Sequence, residues 1–455
     1  MQGGRLSSES NVASELGAKR RQHSRSTTIA AIQPFRGLRY DPQHVDPDAV
    51  IAPPYDVVTD EGVQALLAKS PYGVAHIEMR QPTAGDEHYA NAAAALQRWQ
   101  DEGVMQRDDE PAYYLYEQRF TVQGALHTRR CFFARLEVSP PDAGRVRHHE
   151  STMTGPLDDR LRLLRATETN VSPILAMFED PSGRVRELLD GHAEATADFE
   201  ATDERDDRHR LWVLRDSETI DALTAAVDAS AVTIADGHHR YQTALNYQSE
   251  QSSVDANWML AGLIPVDDPG LIILPVHRLV KIDRLPEDFI ERLSVLYEPD
   301  DITPKSWDGT AIYRLWGRVQ ANAPGPATFG ILGIENQRLH VATGRSTAAI
   351  DRAMPADWSS ALRSVDAVVL TETMLRPLLG IDQEALVAGD RVTFTEDVQD
   401  AWSQTESGRY SLAFLVNPVR IEEVLAVADA GEVLPQKSTY FYPKLATGMV
   451  LNPLD

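Results

Sequence analysis

Residues 231–247 read Ala-Val-Thr-Ile-Ala-Asp-Gly-His-His-Arg-Tyr-Gln-Thr-Ala-Leu-Asn-Tyr, and the rest of the chain is organised around them. Val232, Thr233 and Ile234 form a β-branched run suited to a buried strand. Gly237 supplies the backbone freedom of a sharp turn, and Tyr241, Ala244 and Leu245 recur at helical spacing. The pattern predicts strand, turn and helix, with Asp236, Gly237, His238, His239 and Arg240 at the strand end and first helical turn. A helix start presents unpaired N–H groups and the positive end of the peptide dipoles, which stabilise an anion, above all a phosphate. Arg240, His238 and His239 add donors for that anion. Asp236 has the opposite sign, and a carboxylate beside a phosphate site holds a metal ion or takes a proton. The bland alternatives are an N-capping Asp236 and a solvated histidine pair. Adjacent histidines lack the one-face spacing of a zinc-binding His-Glu-x-x-His helix, so zinc ranks low.

With 455 residues and 42% hydrophobic content the chain can bury sizeable cores, and its length suggests two or three domains. Forty-four basic against 68 acidic residues leave a net charge of −24, which opposes a non-specific grip on nucleic acid or anionic membrane. Cys131 is the only cysteine, reads as a buried core thiol and fits a reducing cytoplasm. No apolar run approaches the length of a membrane span, and the first residues lack the apolar core of a signal peptide, so a cytoplasmic protein is expected.

Residues 1–27 carry few large apolar groups and predict a disordered tail. Thr28–Ile32 predicts a first strand. Beyond it, the Pro34–Tyr40 stretch leads to Ala52-Pro53-Pro54-Tyr55-Asp56, which predicts a rigid extended turn; Arg36 and Arg39 on the first loop and Tyr55 and Asp56 on the second either line a pocket or brace the turn. Helices are expected over 59–70 and 86–102, and a hairpin over 112–138. His149-Glu150 is a further candidate acid–base pair, and the charges of the 158–167 helix read as its solvated face. His277-Arg278 interrupts the apolar run 271–280, either as an edge strand aiming two cations into a cleft or as a solvated strand end. Strands are expected at 328–333, 339–343 and 410–416, and a helix at 420–429 stopped by Gly431. The cation Lys437 and the hydroxyls of Ser438 and Thr439 follow in a rigid segment suited to phosphate or carboxylate. Walker, kinase, nucleophile-elbow and Rossmann motifs are absent.

The Asp236–Arg240 turn followed by a helix resembles the signature turn of the ParB/sulfiredoxin superfamily, and in its Asp-Gly-His-His-Arg form that of the free serine kinases. Upstream His149-Glu150 and the downstream Gly431–Thr439 segment resemble those kinases in order. Ala52–Asp56, Ala235–Tyr241 and Gln436–Lys444 together resemble a prokaryotic domain-of-unknown-function family, "ten-fifteen", across residues 28–450. The resemblance implies an α/β fold with a mixed sheet: a ParB/sulfiredoxin-like core over 146–280, an N-terminal α/β region over 28–145 and a C-terminal region over 281–455. It implies a kinase acting on a small hydroxylated metabolite, free serine first, with ATP or ADP as donor and Mg2+ assisting. Glu150 would be the base and Asp236 the carboxylate assisting it or the metal. Gly237, His238, His239 and Arg240 would hold nucleotide phosphates, and Lys437, Ser438 and Thr439 the substrate. Where those kinases carry a basic residue after the Thr pair this chain has Tyr440, and Lys444 would stand in. Other expectations are a homodimer, and, as alternatives in function, a nucleotide-gated switch or a phosphoester hydrolase.

Overall fold

The computed structural model describes residues 31–79, 85, 87–140, 145–150, 155–304, 310–323, 325–334 and 338–454; the expected tail over 1–27 and most of the expected strand at 28–32 lie outside them. Two mixed α/β layers face the central turn. The first is built on a nine-stranded sheet whose spatial order is Val146–Arg147, Val232–Asp236, Ile174–Phe178, Trp258–Pro265, Ala125–Glu137, Tyr113–Val122, Arg208–Leu214 and Phe199–Thr202, with Ile32–Gln33 also paired to Ala125–Glu137. It is mixed: Val232–Asp236 runs antiparallel to Ile174–Phe178, which runs parallel to Trp258–Pro265. This sheet draws strands from both the 28–145 and 146–280 regions.

The expected hairpin forms, turning at Gln123 and Gly124. Each strand carries six consecutive buried residues, so both faces of the hairpin are covered there, and Cys131 lies within it, fully buried, with burial pushing the thiol up to about 12. Helices Asp60–Lys69, Glu87–Asp101 and Gly155–Thr167 cover the layer, close to the spans read from the sequence. No helix among the described residues is long and apolar enough to cross a membrane.

The second sheet is antiparallel throughout, in the order Tyr297–Asp301, Arg338–Gly344, Thr328–Ile334, Leu412–Leu415, His277–Val280 and Val392–Thr395. The apolar run 271–280 is thus two strands. Ile272–Leu274 pairs with Tyr440–Tyr442, and beyond Pro275 the strand His277–Val280 enters the second sheet with a neighbour on each side. It is neither an edge nor a solvated end, which corrects both expectations for His277-Arg278: their exposures are 0% and 3%.

After the helix Ile421–Asp429 the chain returns to the first layer. Thr447 bridges Ala52, Leu451 bridges Leu38, and Asn452–Pro453 pairs with Thr169–Asn170. Arg135 clamps this return, donating to Asn452 Oδ1 and to the Pro453 carbonyl, each at 2.7 Å. The clamp ties residues more than 300 positions apart and carries Lys437 to Lys444 past the central turn.

Candidate active site

The predicted strand, turn and helix form as Val232–Asp236, Gly237 and His238–Glu250. The ladder with Ile174–Phe178 slips by one residue between Ile234 and Asp236, and such a bulge re-aims the side chain that follows it. Gly237 has φ +93°, and a Cβ there would sit 2.7 Å from the Ile174 side chain, so conformation and space both require glycine. Tyr241 anchors the helix by exchanging hydrogen bonds with the Ser139 backbone at 2.9 Å.

Around this turn lies a cleft of about 240 Å3. The first layer gives it Tyr55, Asp56, Glu150 and Asp236 through Arg240, and the returning segment gives Lys437, Thr439, Tyr440 and Lys444. Groups separated by nearly 400 positions are brought together there.

Asp236 sits between two cations. Its Oδ1 accepts from the Lys444 ammonium, and its Oδ2 from Arg240 Nη2 at 2.7 Å. Burial pulls its pKa upward, but the Lys444 and Arg240 charges prevail and hold it below the usual carboxylate range. Arg240 spends its other nitrogen on the Pro173 carbonyl. With both carboxylate oxygens on cations, Asp236 does not fit the role of a Mg2+ ligand. Among the described residues, no group of three or more His, Cys, Asp or Glu is arranged to hold a metal ion.

Glu150 is set differently. Its Oε1 accepts from the Lys437 N–H at 3.3 Å, and its Oε2 lies 3.4 Å from the Thr439 hydroxyl. Burial pushes the carboxyl up to about 7, against the pull of the Lys437 N–H and the Lys437 and Lys444 charges. The neighbouring His149 is fully buried. Its Nδ1 faces the Ile234 carbonyl at 2.5 Å and so carries the proton, leaving Nε2 to accept from Thr439 at 3.1 Å. Burial pushes this imidazole down to about 4, so it is neutral at pH 7. The one Thr439 proton can thus go to His149 or to Glu150, which links the two residues.

His238 packs edge-on against His149 at 4.5 Å, and its Nε2 is buried with no hydrogen-bond partner. Burial first, then the neighbouring histidines, depress its pKa well below the ordinary value, so the ring is neutral at pH 7 and carries one N–H. Lys437 has φ +60°, and its exposed ammonium makes no ion pair among the described residues.

Three expected residues lie elsewhere. Ser438 is buried, its hydroxyl donating to the Pro435 carbonyl at 2.6 Å, because the turn that presents Lys437 folds the next side chain inward. His277 points away from the cleft: its Nδ1 accepts the Val416 N–H at 3.2 Å and its ring packs on Trp316. Arg278 lies behind the cleft wall, donating to the Lys437 carbonyl at 3.3 Å. Arg36 and Arg39 brace their loop through Asp108, at 2.8 Å each.

The sequence did not reveal the wall built by the second sheet. Phe394, Thr395 and Glu396 line the cleft from the end of Val392–Thr395, where no motif marks them. Arg160 was also missed, because its helix reads as a solvated face. It is instead buried, 3.2 Å from Glu78 and with its guanidinium 4.1 Å over the Tyr55 ring, and so fixes one side of the cleft.

The family model described as "Protein of unknown function (DUF1015)" matches residues 32–367. No curated protein matches the sequence. Among solved structures, the chain is similar to a free serine kinase in complex with AMP at 13% identity and a TM-score of 0.34, covering 69% of this chain and 89% of that one. It is similar to a conserved hypothetical protein from Pyrococcus furiosus at 15% identity and a TM-score of 0.33, covering 69% and 93%. It is also similar to SbnI with a C-terminal truncation from Staphylococcus aureus at 12% identity and a TM-score of 0.34, covering 71% and 87%.

Proposed function

The chain belongs to the DUF1015 family, whose function is unknown, and from that premise we propose that its cleft transfers a phosphoryl group from ATP or ADP to the hydroxyl of a small metabolite, free serine being the first candidate. The observation that carries the reading is the convergence of Glu150, the Asp236–Arg240 turn and the Lys437–Lys444 segment in one cleft. Phosphoryl transfer asks a protein mainly for positioning, charge neutralisation and a base near the attacking hydroxyl. The start of the helix His238–Glu250 and the exposed ammonium of Lys437 meet the anionic donor. Glu150, with its carboxyl near neutrality, is suited to the base.

In this scheme the acceptor oxygen attacks the terminal phosphorus while its proton passes to Glu150. The bond from that phosphorus to the bridging oxygen of the nucleotide breaks. The products are a phosphomonoester and a nucleotide one phosphate shorter, and Glu150 then releases its proton to water. Asp236 takes no proton here; held by Arg240 and Lys444, it fixes the turn and the returning segment relative to each other. Phosphorus NMR of the full chain with ATP or ADP, magnesium and serine tests the proposal. A new phosphomonoester resonance that appears only with serine supports it, and an unchanged spectrum with every nucleotide and hydroxylated acceptor tried contradicts it.

A further inference from the structure

Beside the cleft, between the helix Gln383–Ala388 and the strand Val392–Thr395, lies a second pocket of about 250 Å3. Phe394, Gln436 and Lys437 line both spaces, so the pocket continues from the cleft at Lys437. Its character differs from that of the cleft. Leu386, Val392 and Phe394 supply apolar surface, Gln383 and Gln436 supply amides, and Lys437 alone among the described lining residues carries a charge.

We propose that this pocket takes the purine base of the nucleotide whose phosphates occupy the cleft, an inference that rests on the phosphoryl-transfer reading above. A purine is flat, uncharged and apolar on its faces, with donors and acceptors around its edge. Apolar walls with a few placed polar groups are what such a ligand needs. Phe394 offers a ring for stacking, and the Arg278 guanidinium, 5.7 Å from the centre of that ring, lends it a cation–π partner. The amides of Gln383 and Gln436 can each donate and accept, which matches a base edge. Lys437 marks the junction where the uncharged half of the ligand gives way to its anionic half. A zwitterionic acceptor fits this pocket worse, because no carboxylate among the described lining residues is there to meet an ammonium.

Two measurements on the full chain test the assignment. In the first, 8-azido-ADP is photolysed on the wild-type protein, and the label is expected within 383–395 or on 436–437; label confined to other segments overturns the proposal. In the second, calorimetry compares ADP with inorganic pyrophosphate, which lacks a base. Gln383→Trp, a change at a half-buried position, should fill the pocket and weaken ADP by roughly tenfold or more while leaving pyrophosphate within about twofold. If wild type binds both probes and Gln383→Trp leaves ADP unchanged, the base pocket falls and the phosphate reading stands. If wild type binds neither, the phosphate reading fails first and the pocket falls with it.

Discussion

Replacing Lys444 by Met keeps most of the aliphatic bulk and removes the ammonium from Asp236, and the structure sets the expected cost. The two side chains are 11% and 16% exposed, so the pair lies mostly out of water. Deleting one partner of a buried pair costs about 3–5 kcal/mol, because the surviving charge is left desolvated. Asp236 retains Arg240 at 2.7 Å, which moves the expectation to or just below the lower end of that range, ~2–3 kcal/mol. The sign of the pH dependence follows. A carboxyl held below its ordinary range contributes stability that is present above that range and is lost as pH falls through the folded value. Lys444→Met shrinks this contribution, so the gap between wild type and variant is full at pH 7 and narrows only below about pH 4. Urea unfolding followed by circular dichroism measures the gap. A double-mutant cycle with Asp236→Asn should give a coupling of roughly 1–3 kcal/mol. Two single variants each within roughly 0.5 kcal/mol of wild type, with additive effects, would refute the picture of Asp236 as the clasp between turn and returning segment.

Three further outcomes follow from the same geometry. Glu150→Gln should leave stability unchanged near pH 4 and raise it at pH 8, since a carboxyl raised from 4.5 to about 7 favours the fold only while protonated; at ~1.4 kcal/mol per pH unit the ceiling is about 3 kcal/mol, and equal stability at both pH values would count against a buried Glu150. His277→Leu strands the buried Val416 N–H and should cost about 1–3 kcal/mol in denaturation while leaving any turnover intact; a selective loss of turnover would put His277 back in the site. Ser438→Ala removes a buried hydrogen bond to Pro435 and should cost about 1 kcal/mol without moving the KM for an acceptor, whereas a raised KM in a fully stable variant would mean that Ser438 touches substrate.

What the sequence revealed was local. The strand, turn and helix over 232–250, the hairpin of Tyr113–Val122 with Ala125–Glu137 and the helix Ile421–Asp429 each declare themselves through periodicity and a turn residue. Glu150 and Lys437 were legible as chemistry, and the motif order placed them with Asp236. What was not legible depends on tertiary position. Periodicity within His277–Val280 cannot say whether a strand is inner or edge, and here pairing on both sides buries His277 and Arg278, which read either as aimed into a cleft from an edge strand or as a solvated strand end. Arg160 looks like any surface helix charge until Glu78 and Tyr55 are packed around it. Phe394 to Glu396 gain their place only because the second sheet abuts the turn. The return of Thr447 to Pro453 across the first layer, which sets Lys444 on Asp236, carries no local signal.

The most direct test of the account is the serine-dependent consumption of nucleotide by wild type and Glu150→Gln between pH 6 and 8.5, with nucleotide binding measured alongside. Wild type should consume nucleotide only when the acceptor is present, at a rate that rises through about pH 7 as Glu150 loses its proton, while Glu150→Gln binds nucleotide within about threefold and does not turn over. A Glu150→Gln chain with full turnover and the same pH profile, or a wild type that consumes nucleotide equally with and without the acceptor, would contradict it.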